Sequence, residues 1–338
     1  MLPEPRANPI LLGQHAAETT LLDAMRAGRL HHGWLLLGPD GVGKATLAFR
    51  FARRLLADTT PDTMADTLFV PPVAPVFRRI ATGSHADLLT VERTVNAKTK
   101  KLRGEIVVED VRAIPDFLHR TPAEGGWRVV IVDGAEDMNR NAANALLKAL
   151  EEPPPRAIML LVCSAVGVLP ATVRSRCRRL RLARLPDTDV ATLLAEARPD
   201  LPDAVRAEIV TFAGGSIGQA LTLAAEDGAM LADNIARLID DPTPEAAERA
   251  YFLMAKQEDG FATWVGLLRA RLSDAVRHAA RGDTVWRGRP LDRWVAIWQA
   301  IGALAEETEG LNLDKRQAIG RMVRLLSGSL AAEDSATP

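Results

Sequence analysis

The chain has 338 residues, long enough for two or three domains with a sizeable core, and its 47% hydrophobic and 25% charged residues are ordinary for a soluble globular protein. A formal net charge of −1 excludes a general electrostatic pull on nucleic acid, so any DNA contact must come from a local patch. Two cysteines, Cys163 and Cys177, exclude a disulfide framework and fit a reducing cytoplasm.

The opening segment MLPEPRANPILLGQ has no basic stretch followed by an apolar one, so no signal peptide is expected. No apolar run approaches the roughly 18 residues a membrane span needs, so no membrane partner is expected. A helix is predicted over 16–27, then a buried strand over Trp34–Leu37. Residues 38–45 read Gly-Pro-Asp-Gly-Val-Gly-Lys-Ala, a phosphate-binding loop whose last position is wrong. The G-x-x-x-x-G-K-[ST] pattern places a hydroxyl there to hold Mg²⁺, and Ala45 offers a methyl group. Gly38, Gly41, Gly43 and Lys44 can still cradle phosphates at the start of a helix over 44–57. Thr46 is no substitute, because it points about 100° away from position 45. The loop is thus suited to hold ATP or ADP with weakened help from Mg²⁺, and poorly suited to cleave it.

Further strands are predicted at Leu88–Val91, Val129–Val132 and Ile158–Cys163, with helices over 109–119 and 139–151 between them. The alternation argues for a parallel sheet flanked by helices. Asp133 ends the third apolar run, where a carboxylate can hold Mg²⁺ or its water shell beside the loop. The next residue is Gly134, and nothing in the pattern places Glu136, two further on, at a terminal phosphate. Beyond about residue 183 the strand signal ends. Residues 186–238 read as short helices broken at Pro199, Pro202 and Gly214-Gly215, with Asp240 to Pro244 as a linker. Residues 245–330 are predicted helical throughout. Apolar stripes run along Phe261, Trp264, Val265, Leu268, Leu272 and Val276, and along Leu291, Trp294, Val295, Trp298, Ile301 and Ala305. Such stripes make a bundle core or a partner surface.

Asn144-Ala-Leu-Leu-Lys-Ala-Leu-Glu-Glu-Pro-Pro, Leu169-Pro-Ala-Thr-Val-Arg-Ser-Arg-Cys, Gly13-Gln14, Thr121-Pro-Ala-Glu-Gly-Gly-Trp and Gly215-Ser-Ile-Gly-Gln-Ala-Leu occur in one order along nearly the whole chain. In these motifs the chain resembles the AAA+ clamp-loader subunits of bacterial DNA polymerase III, the delta-prime branch above all. The resemblance implies an α/β AAA+ domain over 1–183, a helical lid over 184–240 and an all-α collar over 245–330. It also implies work in replication beside tau/gamma-type ATPases and delta, with the sliding clamp and primer-template DNA. Arg176, in Ser175-Arg176-Cys177, takes the place of a finger that reaches a neighbour's ATP. Without the resemblance it reads as one of several arginines on a surface or edge strand. Ser164 falls at the sensor-1 position or caps a turn. Gly218 stands where working ATPases of this class carry a second sensor Arg.

Delta-prime members often carry a four-cysteine zinc module, but the corresponding positions are Ala57, Pro71, Ala74 and Phe77, so no metal is expected. Residues 58–80 are expected as a less ordered excursion unless Phe69, Val70, Val73 and Phe77 pack as an apolar replacement. Arg140, Asn141, Asn144 and Lys148 are candidates for DNA phosphate contact, or a solvated first turn. The alternative to a non-motor subunit is an active AAA+ ATPase. A P-loop kinase does not account for Ser175-Arg176-Cys177 or for the C-terminal helices.

Overall fold

Five parallel strands form one sheet in the order β2-β3-β4-β1-β5. They are β1 (Gly33–Leu37), β2 (Leu88–Val91), β3 (Arg128–Asp133), β4 (Ala157–Cys163) and β5 (Arg178–Arg181). The computed structural model describes residues 2–57, 67–95, 102–124, 126–164, 167–225, 228–255, 260–280, 290–311 and 313–327. Strands buried on both faces read as unbroken apolar runs, which is why β1, β3 and β4 stand out in the sequence. The edge strand β5 breaks that rule: Leu180 alone is buried, and its arginines face outward. Arg178 lies over the ring of buried Trp34, 5.0 Å from its centroid, on the neighbouring strand.

Alternate strand residues feed two cores. Trp34, Leu36, Val129, Ile131, Ile158 and Leu160 pack beneath α1 (His15–Arg26), α2 (Lys44–Leu56) and α3 (Pro75–Ala81). Leu35, Leu37, Val130, Val132, Met159 and Leu161 pack beneath α4 (Val108–Val111), α5 (Ala113–His119), α6 (Arg140–Glu151) and α7 (Ala171–Arg174). The single helix expected over 109–119 is two, parted at Arg112. Pro115 explains the break: it lacks an N–H and its ring crowds the carbonyl four residues back.

The expected excursion after α2 is corrected in part. Residues 58–66 lie outside the described residues, but Leu68, Val70, Val76, Phe77 and Ile80 are buried. Of the four residues expected to pack, Val70 and Phe77 do, whereas Phe69 and Val73 stay exposed. Ala57, Ala74 and Phe77, three of the zinc-ligand positions, join the apolar cluster. Arg53 underpins this corner, 4.5 Å from the Phe77 ring, donating to the carbonyls of Arg6 (2.9 Å) and Asn8 (2.8 Å). Burial lowers its guanidinium to about 10. The Thr121 motif is tied down as well. The buried Asp87 carboxylate accepts from the amides of Ala123 (2.9 Å) and Glu124 (3.1 Å) and pairs with Arg128 at 3.4 Å.

Contacts divide the chain into two units, Met1–Ala197 with Gly215–Ile217, and Arg198–Gly214 with Gly218–Pro338. The first closes with α8 (Asp187–Ala197). The second carries α9 (Asp203–Ala213), most of α10 (Ile217–Leu223), α11 (Gly228–Asp240), α12 (Pro244–Met254), α13 (Gly260–Ala280), α14 (Leu291–Gly310) and α15 (Lys315–Ser327). The stretch read as a linker is the short turn between α11 and α12, where the Thr243 hydroxyl caps α12 by accepting from Ala246 N at 3.2 Å. In α13, Phe261, Trp264, Val265, Leu268 and Leu272 are buried as expected. In α14 the buried arc is wider than the predicted stripe. Ile297, Leu304 and Thr308 join Trp294, Ile301 and Ala305, while Leu291 is exposed. The cause is that α14 packs on both α13 and α15, so one stripe does not cover its contacts.

Candidate functional site

The chain leaves β1 at Leu37, turns through residues 38–43 and enters α2 at Lys44. The turn needs Gly43 at φ +97°, a left-handed conformation, as the residue before the helix. Two buried side chains brace the loop from distant parts of the chain. Gln14 Nε2 donates to Val42 O (3.1 Å) and to Ala183 O (2.7 Å), and Ser216 Oγ donates to Asp40 O (2.7 Å). Among the described residues, the amides of Gly41, Val42, Gly43 and Lys44 donate to no other protein group. Four free N–H groups at a helix start are what a diphosphate requires, so these residues fit a nucleotide.

Lys44 is buried, and its ammonium donates to Gly38 O (2.9 Å), Pro39 O (2.7 Å) and Ser164 Oγ (2.7 Å), with Asp40 Oδ1 at 3.5 Å. Ser164 Oγ in turn donates to Asp40 Oδ1. Ser164 follows the last residue of β4, so the loop and the sheet's carboxyl end meet at one hydroxyl. Thr46 is buried and Ala45 only partly so, which separates the two side chains as the helical period requires.

Asp133 ends β3 beside this cluster. Burial pushes its carboxyl up, Glu92 and Glu136 push the same way, and Lys44 pulls against them. Position 45 supplies no hydroxyl, so the donor set lacks one of the protein ligands that Mg²⁺ takes beside such a loop. Among the described residues no group of His, Cys, Asp and Glu is arranged to hold a metal ion. Glu136 has a contact that the sequence does not report: its Oε1 accepts from Ser164 N at 2.8 Å, while Oε2 is buried with no hydrogen-bond partner among the described residues. No local pattern points to it, because the contact joins the turn after β3 to the end of β4.

Arg176 lies just after α7, away from the loop in sequence. Its Nη2 is 2.6 Å from Glu151 Oε1 at the end of α6, and its Nη1 donates to Thr172 O at 3.0 Å. With side-chain exposures of 35% for Arg176 and 47% for Glu151, the pair is reachable from solvent. Cys177 beside it is a packing residue, since burial pushes its thiol up to about 12. Asn139 caps α6 by accepting from Ala142 N, and Arg140, Asn141, Asn144 and Lys148 are all exposed along that helix.

The family model described as DNA polymerase III, delta subunit, matches residues 13–186, just over half of the chain. The chain belongs to that family. It is 35% identical over 187 residues to the DNA polymerase III subunit delta' of Pseudomonas aeruginosa, covering 55% of this chain and 53% of the relative. It is 28% identical over 223 residues to the DNA polymerase III subunit gamma of Buchnera aphidicola, covering 65% of this chain and 58% of the relative. The chain thus spans little more than half the length of these relatives. Among solved structures it is similar to a gamma-subunit-related protein of Thermotoga maritima, with 18% identity, a TM-score of 0.43, and coverage of 91% of this chain and 99% of that one.

The matched segment of this family member runs from Gly13 to Pro186 and so contains residues 38–46, Asp133, Ser164 and Arg176. Gly218 lies outside it, in the second unit. Among the described residues no helix is long and apolar enough to cross a membrane.

Proposed function

We propose that this chain is a non-motor, delta-prime-type subunit of the DNA polymerase III clamp loader. In this reading residues 38–44 and Ser164 hold ATP or ADP without useful turnover, and Arg176 serves a neighbouring tau/gamma-type ATPase. The assembly, with delta, loads the sliding clamp onto primer-template DNA. Residues 1–183 act as the nucleotide-binding domain, 184–240 as a lid and 245–330 as the collar that joins subunits.

One observation carries the reading. Residues 41–44 offer four amides with no acceptor among the described residues, and Lys44 stands beside them, while the groups that would drive chemistry there are missing at Ala45 and Gly134. Arg176 is compatible with lending. Its pair with Glu151 is partly exposed, and such pairs contribute roughly 0–1 kcal/mol, so a phosphate oxygen next door can take the guanidinium at little cost. A finger of this kind is worth about 10³–10⁵ in rate. The test is Arg176→Ala in the reconstituted loader. The variant should fold and assemble, while ATP turnover and clamp loading fall by roughly 10²-fold or more. Full activity would remove the finger.

A second reading, an active ATPase, draws on Glu136, whose carboxylate holds the Ser164 amide and could position water. It predicts Mg²⁺-dependent turnover by the isolated chain that Glu136→Gln abolishes. The non-motor reading predicts none to abolish.

A further inference from the structure

We infer that Asp40 biases the loop toward a nucleoside diphosphate over a triphosphate. This rests on residues 38–45 taking nucleotide, as proposed above, and is independent of Arg176. Asp40 Oδ1 lies 3.5 Å from Lys44 Nζ and accepts from Ser164 Oγ, and those two groups are themselves 2.7 Å apart. The lysine of such a loop reaches the outer phosphates. An ammonium and a hydroxyl converging on one carboxylate oxygen are therefore partners that a terminal phosphate oxygen would use. Asp40 stands on them as an internal anion.

The backbone keeps it there, because Ser216 Oγ holds the Asp40 carbonyl and Gln14 holds that of Val42 two residues on. The carboxylate itself is 90% exposed, so it competes for the terminal position and does not seal it. Inner phosphates rest on the amides of Gly41 to Lys44. A diphosphate shares Lys44 with Asp40 and leaves Ser164 to it, whereas a triphosphate must displace it from both Lys44 and Ser164 and then lie beside its charge. Like charges at contact distance in a partly solvated site disfavour the triphosphate by about tenfold or more.

The test is equilibrium displacement of fluorescent ADP from the full chain by ADP and by adenylyl imidodiphosphate, in EDTA. Wild type should bind ADP about tenfold or more tightly than the triphosphate analogue. Asp40→Asn, which keeps the shape and removes the charge, should narrow the ratio to roughly threefold or less, and Asp40→Ala at least as far. An unchanged ratio, with binding still dependent on Lys44, overturns the role of Asp40 and leaves the pocket standing. Undetectable binding by every variant overturns pocket and bias together. So does full binding by a Lys44→Ala chain that circular dichroism shows to be folded. Neither result bears on Arg176, which is read in the assembled loader.

Discussion

Under the non-motor reading Gly134 stands where a glutamate would position the attacking water, and installing a glutamate there should damage the fold without creating turnover. Gly134 has φ +77°, and a Cβ there would lie 2.8 Å from Asp137 Oδ2, which faces Arg93 at 3.2 Å. The turn is fixed by Asp137 N donating to Gly134 O at 2.9 Å, so the backbone does not readily rotate away. Left-handed backbone costs an ordinary L-residue about 1–2 kcal/mol, and less for Asn. The clash is with the end of a flexible side chain, and displacing Asp137 from Arg93 adds at most about 1 kcal/mol. Gly134→Glu further sets a negative charge beside Asp133, Glu136 and Asp137, roughly 1 kcal/mol more where water screens it. Stability should fall in the order Gly, Asn, Ala, Glu, with Ala about 1–2 and Glu about 2–4 kcal/mol below wild type. In a first unit of about 200 residues each kcal/mol moves Tm by roughly 2–4 °C, so the Glu variant should melt about 4–16 °C lower. Thermal unfolding followed by far-UV circular dichroism in Mg²⁺-free buffer reads the series, with ATP turnover measured in parallel. An Ala variant melting with wild type would refute the conformational argument. A Glu variant that gains Mg²⁺-dependent turnover would refute the claim that Ala45 also disables the site.

Gln14→Ala strands the carbonyls of Val42 and Ala183, and should cost about 1–3 kcal/mol in urea unfolding and loosen nucleotide binding. A loss below about 0.5 kcal/mol would mean that Gln14 does not brace the loop. His85 is held below its usual 6.5, by burial first, so the unfolded chain takes up its proton before the folded one does. Stability should therefore fall as pH drops below 6.5 toward the lowered value, and more steeply in wild type than in His85→Gln; parallel curves would remove His85 as the cause. Lys44→Ala should destabilise the nucleotide-free chain by about 1–3 kcal/mol, since Gly38 O, Pro39 O and Ser164 Oγ each lose a charged donor. Unchanged melting of that variant would show that these contacts do not support the loop.

The legible part of the fold is the part that local pattern encodes. The four predicted strands fall within one residue of β1 to β4 at either end, because central parallel strands must be apolar on both faces. The edge strand β5 is buried through Leu180 alone, and its arginines hide it. The break at Arg112 was written in Pro115 and outweighed by the apolar period on either side. Within the site, Lys44 and Ser164 meet as their motif positions imply. Gln14, Glu136 and Ser216 take their roles from contacts spanning 28 to 176 residues of sequence, which no window of local pattern reports.

Under the non-motor reading, those long-range contacts explain how a pocket can lose its chemistry and keep its shape. Gln14, Ser216, Lys44 and Gly43 each hold the loop in place as well as lying beside the proposed nucleotide position, so losing any of them would be felt in folding. Positions 45 and 134 differ. Ala45 is a good helix former at a partly exposed site, and Gly134 suits the backbone of its turn better than any other residue. Reverting to the catalytic residue gains little stability at the first and loses it at the second. A chain whose hydrolysis is not needed would drift toward this division, with the structural half of the pocket retained and the reactive half gone. Arg176 lies outside that argument. Its partly exposed pair with Glu151 gives the fold little, and the finger role proposed for it is a reason, separate from stability, to keep a guanidinium there.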